Sequence, residues 1–243
     1  MYGRSFYFPC RDLLVLLEAR YLHLRELTLR CSELHDFHYA AIGKCELLVT
    51  LQLYSCWLMS EAGALHVTQP PMLRSLHITS ARMVRSAALS NFLAHLPRLL
   101  EELVLSGSAF NDSHVKALQN LPMLRVLELW NCQLSGAGAL VLANVVPSLH
   151  ILDLDITLTN EQIKVLDNHP NLLSVRCLTE QSNKHYCRPF NVSKYGELQT
   201  HHVKIQRTNE NYSHKYFRNN GEGYCASLFY YWTQKMCLQP YIY

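Results

Sequence analysis

The pattern L-x-x-L-x-L recurs seven times along the chain. Its members are Leu24/Leu27/Leu29, Leu48/Leu51/Leu53, Leu73/Leu76/Ile78, Leu100/Leu103/Leu105, Leu124/Leu127/Leu129, Leu149/Leu152/Leu154 and Leu172/Val175/Cys177. The first members are spaced 24, 25, 27, 24, 25 and 23 residues apart. A period held this long restricts the chain to a stack of like units. One unit hides one apolar face, so the units must lie side by side and share a continuous core.

Prolines run in phase with the leucines. Pro71, Pro97, Pro122, Pro147 and Pro170 each stand two residues before a leucine. Each lacks an N–H and ends the helix that precedes it. In the fourth unit Pro97 points to Leu99, whereas the spacing to Leu103 selects Leu100. A small bulge or a shifted approach to the strand is expected there.

Within a unit, the period of two at the end of the triplet predicts a short strand, with residues such as Leu127 and Leu129 pointing inward. Cys132 and Leu134 turn the chain away. "SGAGALVLANVV" then reads as a helix with Ser135 as N-cap and Leu140, Leu142 and Val145 facing back. "NDSHVKALQNLP" and "TNEQIKVLDNHP" follow the same plan. Each buried leucine contributes roughly 1.5–3 kcal/mol, ample for such a stack.

The run L-x-x-L-x-L-x-x-(C/N)-x-L resembles the leucine-rich repeat. Cys56 and Cys132 fall at its ninth position and Leu58 and Leu134 at its eleventh, while Ser32, Ala81, Ser108 and Thr157 take the ninth position elsewhere. Cysteine there, followed by "SGAGALVLA", is similar to the cysteine-containing subclass of F-box/leucine-rich-repeat proteins. The resemblance implies an α/β fold, a right-handed horseshoe of about seven repeats. It also implies a substrate receptor for a cullin-RING ubiquitin ligase, with protein partners that include ligase subunits. The stretch before Leu24 is shorter than an F-box and reads instead as the helix of a partial leading repeat over residues 1–23. Repeats are expected over 24–178 and an irregular, poorly anchored tail over 179–243. The alternative is a repeat scaffold or inhibitor that masks a partner without any ligase.

In a strand of such a unit, the residues flanking the second and third leucines face the hollow of the stack. In order these are Thr28/Arg30, Gln52/Tyr54, His77/Thr79, Val104/Ser106, Glu128/Trp130, Asp153/Asp155 and Arg176/Leu178. Arg30, Tyr54, His77, Glu128, Trp130, Asp153, Asp155 and Arg176 are the candidate protein-binding residues. Exposed Trp and Tyr favour interfaces, and three carboxylates beside Trp130 favour a basic segment on the partner.

Other functions find little support. The chain holds nine cysteines without tight pairs and no signal-peptide pattern, so reduced thiols in the cytoplasm or nucleus are expected. No apolar run spans a membrane. A net charge of +3 does not point to nucleic acid, and no RNA-binding signature accompanies the tyrosines of the tail. "CSELHDFH" offers Cys31, His35, Asp36 and His38, and the tail Cys177, His185 and Cys187. Neither has the spacing of a zinc site, so no metal or other cofactor is expected. No catalytic motif is present, and an enzyme is not expected.

Overall fold

Leu27, Leu51, Leu76, Leu103, Leu127, Leu152 and Val175 stand side by side across one sheet, each at most 2% exposed. The computed structural model describes residues 23–30, 33–79, 86–179 and 185–187. Seven strands run parallel in chain order: β1 (Glu26–Arg30), β2 (Thr50–Tyr54), β3 (Ser75–Ile78), β4 (Glu102–Ser106), β5 (Val126–Trp130), β6 (Ile151–Leu158) and β7 (Ser174–Thr179). An eighth, β8 (His185–Cys187), pairs antiparallel with β7. Between the strands lie the helices α1 (Asp36–Gly43), α2 (Glu61–His66), α3 (Ser86–Ala94), α4 (Gly136–Val145) and α5 (Asn160–Asp167), and a 3-10 helix, Asp112–Asn120. The chain is a leucine-rich-repeat solenoid. Parallel strands sit about 4.8 Å apart, whereas packed helices need about 8–10 Å, so the stack bends with the sheet on its inner side.

The leading helix read over residues 1–23 lies outside the described residues apart from His23. So does most of the segment 179–243. Its described residues depart from an irregular reading, because β8 pairs Tyr186 with Cys177 and Cys187 with Arg176.

The turn from strand to helix uses one device in three repeats. Ser55, Gly107 and Asn131 follow their strands at the same repeat position, with φ of 60°, 72° and 50°. A left-handed residue there swings the chain out of the sheet at once. Glycine does so without strain, and asparagine tolerates it better than most residues.

Polar side chains fix the helix starts. Ser135 Oγ accepts the Gly138 N–H at 3.0 Å, and Thr159 Oγ1 accepts the Gln162 N–H at 3.1 Å while Gln162 Oε1 accepts the Thr159 N–H at 3.0 Å. The core face of α4 holds the expected Leu140, Leu142 and Val145 and adds smaller residues to them. Gly138, Ala139, Leu142 and Ala143 are buried, and Leu140 and Val145 are only half-buried. Small residues face inward because the neighbouring helix starts approach closely. "NDSHVKALQN" winds as the tighter 3-10 form rather than an α-helix, with Val115 and Leu118 inward.

One clasp joins successive repeats and appears twice. Asp36 accepts the N–H and the hydroxyl of Ser60 at 3.3 and 2.6 Å. Asp112 accepts the same groups of Ser135 at 2.8 and 2.5 Å. In both, a glycine three residues after the serine makes room: a Cβ on Gly63 would lie 2.6 Å from Asp36 Oδ1, and one on Gly138 2.2 Å from Asp112 Oδ1. Two residues after each aspartate stands a buried histidine. His38 Nδ1 accepts the His35 N–H and His114 Nδ1 the Asn111 N–H, both at 3.1 Å. His38 and His114 are thus interior capping residues.

The extra residue near Pro97 is absorbed before the strand. Leu73, Leu100, Leu124 and Leu149 each donate their N–H to the carbonyl three residues back, which belongs to Pro70, Pro97, Leu121 and Val146. Pro97 therefore fills the place of Pro70, one residue earlier than the phase of the other prolines. β3, β4 and β5 pair without interruption. The one register shift among the parallel pairs lies between Asp153 and Thr157 in β6.

Candidate functional site

The register fixes three rows on the inner face of the sheet. Thr28, Gln52, His77, Val104, Glu128, Asp153 and Arg176 form the first, running across all seven parallel strands. Arg30 faces Tyr54, and Ser106 faces Trp130, in a second row. Ser75, Glu102 and Val126 belong to a third, one pleat earlier. Alternation along each strand puts all three opposite the buried leucines.

Charge on this face is arranged in pairs with one group left over. Arg176 Nη1 lies 2.8 Å from Asp153 Oδ2. His77 Nε2 lies 3.2 Å from Glu102 Oε2, which also accepts the Ser75 hydroxyl at 2.7 Å. Burial alone would raise the Glu102 carboxyl, but the close contact of His77 and the bond from the Ser75 hydroxyl hold it below its usual value. Glu128 stands between the two pairs. Among the described residues no hydrogen bond or ion pair reaches its carboxylate. Burial, then the Asp153 charge, push it up to about 7, with Glu102 adding to the rise and His77 and Arg176 opposing it. It is a half-buried acid that no cation pairs directly among the described residues.

The expected cluster of three open carboxylates is therefore corrected. Asp153 is only 7% exposed and already holds Arg176. Val104 and Ser106, which face the same hollow, are buried between adjacent strands. Asp155 serves the backbone. Its Oδ2 accepts the N–H of the left-handed Asn131 at 2.5 Å, and burial raises its own pKa in spite of that bond. One repeat earlier, the equivalent N–H of Gly107 goes to the Trp130 carbonyl at 2.9 Å. The register shift after Asp153 changes that arrangement, and the Asp155 side chain takes the role of the carbonyl. For the same reason Leu178 faces Thr157 rather than Asp155.

Trp130 is half-buried on the strand next to Ser106, one step along the chain from Leu129 and two from Glu128. Below it Cys132 donates its thiol to the Trp130 carbonyl at 3.3 Å and lies 3.4 Å from the Ser108 hydroxyl. Burial pushes the Cys132 thiol up to about 11 despite that hydroxyl. Cys56, at the matching position, is buried and also a free thiol. Tyr54 stands three strands from Trp130, about 14 Å at about 4.8 Å per strand. Its hydroxyl donates to Gln52 Oε1 at 3.2 Å, and the Thr28 hydroxyl shares that acceptor at 3.3 Å. Of the candidate residues, the fold thus brings His77, Glu128, Trp130, Asp153 and Arg176 into one region. Tyr54 lies toward β1, opposite the backbone of Arg30, and Asp155 supports a turn.

Glu102 and Ser75 were missed. They precede the second leucine of their triplets, and the same alternation that selects His77 and Glu128 places them on the inner face. Asp36 and His38 of "CSELHDFH" are engaged as clasp and cap. Among the described residues, no three His, Cys, Asp or Glu side chains are placed to hold a metal ion.

No family model matches the chain, and no curated protein matches it. Among solved structures it is similar to the complex of Rad7 and Elc1 in yeast, at 15% identity and a TM-score of 0.39. That match covers 71% of this chain and 64% of the other. It is also similar to an internalin from Listeria monocytogenes str. 4b F2365, at 17% identity and a TM-score of 0.43, over 73% of this chain and 52% of the other. The chain spans less than two thirds of the length of either. The fold assignment rests on the register and burial above.

Proposed function

We propose that the chain is a protein-recognition module whose inner sheet face, from β3 to β7, holds a basic segment of a protein partner. The observation that carries this is Glu128. It is half-buried, set between the His77–Glu102 and Arg176–Asp153 pairs, and has no cation of its own among the described residues. A lysine or arginine laid across β5 supplies that cation, and Trp130 gives its aliphatic stem a flat apolar surface. A charge-assisted hydrogen bond of this kind contributes about 1.5–3 kcal/mol.

The finer reading is that of a substrate receptor in a cullin-RING ubiquitin ligase, where the module positions a target and the ligase acts on it. The cysteine-bearing repeats with Cys56 and Cys132 support it, through their resemblance to F-box/leucine-rich-repeat proteins.

The test is affinity purification of the tagged chain from cells with mass spectrometry, beside a Glu128→Gln, Trp130→Ala variant. A partner lost only from the variant, with cullin and its adaptor recovered by both, supports the receptor reading. Partners without cullin rule out the ligase and leave a scaffold. A variant that retains every partner removes the inner-face site.

A further inference from the structure

Leu47, Met72, Leu99 and Met123 hold one position in four consecutive repeats, the residue before the first leucine of each triplet. They are 39%, 41%, 39% and 38% exposed, while the leucines that follow them, Leu48, Leu73, Leu100 and Leu124, are fully buried. Two residues after each, the backbone is tied from repeat to repeat. The N–H of Arg74 donates to the Val49 carbonyl at 2.8 Å, that of Glu101 to Arg74 at 2.7 Å, and that of Arg125 to Glu101 at 2.8 Å. These bonds hold the four side chains in a row at close to the strand spacing of about 4.8 Å. A lone exposed apolar residue is ordinary. A row at one position of adjacent repeats is a continuous surface.

The same position shows what it does when it serves the stack. In the sixth and seventh repeats it is Ser148 and Asn171. The Ser148 hydroxyl donates to the Leu124 carbonyl at 2.8 Å, and Asn171 Nδ2 to the Pro147 carbonyl at 2.7 Å. The four apolar residues neither make such a stitch nor enter the core.

Within three residues of the row along the chain, Glu102 of the inner face aside, stand Lys44, Glu46, Arg74, Arg98, Glu101 and Arg125. Arg74 is paired with Glu101. Among the described residues no ion pair takes up Lys44, Arg98 or Arg125, which leaves three cations against Glu46.

We propose that this edge docks an amphipathic helix of a protein partner, with one apolar side chain per turn and acidic residues beside them. Spacing selects the helix. Positions i, i+4, i+7 and i+11 span about 16.5 Å at about 1.5 Å per residue, against about 14 Å for the row. Alternate residues of an extended strand span about 20 Å and fall out of step. The surplus of cations selects acidic flanks. The edge lies where the strands begin, separate from the inner face, and the inference does not rest on the reading of Glu128.

The probe is a labelled, end-capped peptide of roughly five helical turns, with leucine at those four positions and glutamate flanking them. Fluorescence anisotropy follows its binding to the full chain. The expected result is micromolar binding that weakens about tenfold or more in a Leu99→Ser, Met123→Ser variant of unchanged thermal stability. The Glu128→Gln variant binds as the parent does. A peptide with lysine for glutamate binds more weakly, and the gap narrows as salt rises. Equal binding by the serine variant and the parent overturns the proposal, as does no binding at about 100 µM. Sedimentation closes the remaining route: a dimer of the parent that the serine variant loses assigns the row to a second copy and overturns the helix partner.

Discussion

The carboxylate of Asp112, in the fourth repeat, holds both the N–H and the hydroxyl of Ser135 in the fifth, at 2.8 and 2.5 Å. Ser135 in turn caps its own helix through the Gly138 N–H. A Cβ at Gly138 would lie 2.2 Å from Asp112 Oδ1 and 2.7 Å from Leu134 Cδ1. Asp112→Ala is expected to destabilise the fold by about 1–2 kcal/mol, as loss of a cap does. Gly138→Ala is expected to lose about 1–3 kcal/mol by overpacking. Urea unfolding of the double variant checks that the two are one device: its loss should fall short of the sum, because removing Asp112 makes room for the new methyl.

Glu128 links stability to pH. Its folded value of about 7 lies above the ordinary 4.5, so the folded state keeps a proton that the unfolded chain releases. Its contribution to stability is therefore greatest below pH about 4.5, falls through the window up to about 7, and is flat above it. Glu128→Gln removes this loss and should gain about 3 kcal/mol over the parent at pH 8 and almost nothing at pH 4. The two proteins differ only at residue 128, so the difference between their pH–stability curves isolates it. Identical slopes from pH 5 to 8 would show that the carboxyl is not shifted.

Ligand binding should run the other way. A basic side chain needs Glu128 ionised, so its affinity should rise between pH 6 and pH 8. Titration calorimetry of a basic peptide partner at the two pH values reads this, and Glu128→Gln should make the affinity flat and weak. An affinity that falls with pH would contradict the proposed contact.

Asp155 and Trp130 should separate by kind of effect. Asp155→Ala strips the Asn131 N–H of its acceptor and should lower stability by about 1 kcal/mol or more. Asn131→Gly keeps that bond and relaxes the left-handed backbone, so it should be neutral or slightly stabilising. Trp130→Ala should act mainly on binding. Thermal unfolding of the three variants gives the order.

Cys45 and Cys132 should be slow nucleophiles, since burial pushes both thiols up to about 11 and leaves little thiolate at pH 8. Mapped alkylation should leave both unmodified in the folded protein under conditions that label them fully in urea. Labelling of Cys45 at the rate of an open thiol would contradict its burial.

The strands and their register were legible because each triplet repeats a period of two at a fixed interval. A shift by one residue would turn Leu127 and its partners out of the core. Helix faces were harder. In "SGAGALVLANVV" the bulky stripe of Leu140, Leu142 and Val145 was readable, whereas the burial of Gly138, Ala139 and Ala143 beside Leu142 was not, because it depends on how closely the helices approach. At the site, the row of His77, Glu128, Asp153 and Arg176 followed from the pattern alone. What it could not supply was pairing. That Arg176 neutralises Asp153, that Glu102 reaches His77, and that Asp155 bonds a turn depend on partners 23–25 residues away and on a register shift in β6 that no motif announces.

The direction of β8 bears on how such a chain can change in length. Seven strands follow one translation rule, and any of them would accept another parallel neighbour by the same rule. β8 runs the other way, from Cys187 beside Arg176 back to His185 beside Leu178. A further unit added beyond it would find its template inverted. Duplication of a unit among the seven parallel strands would keep the translation rule, whereas a unit placed directly after β8 would not.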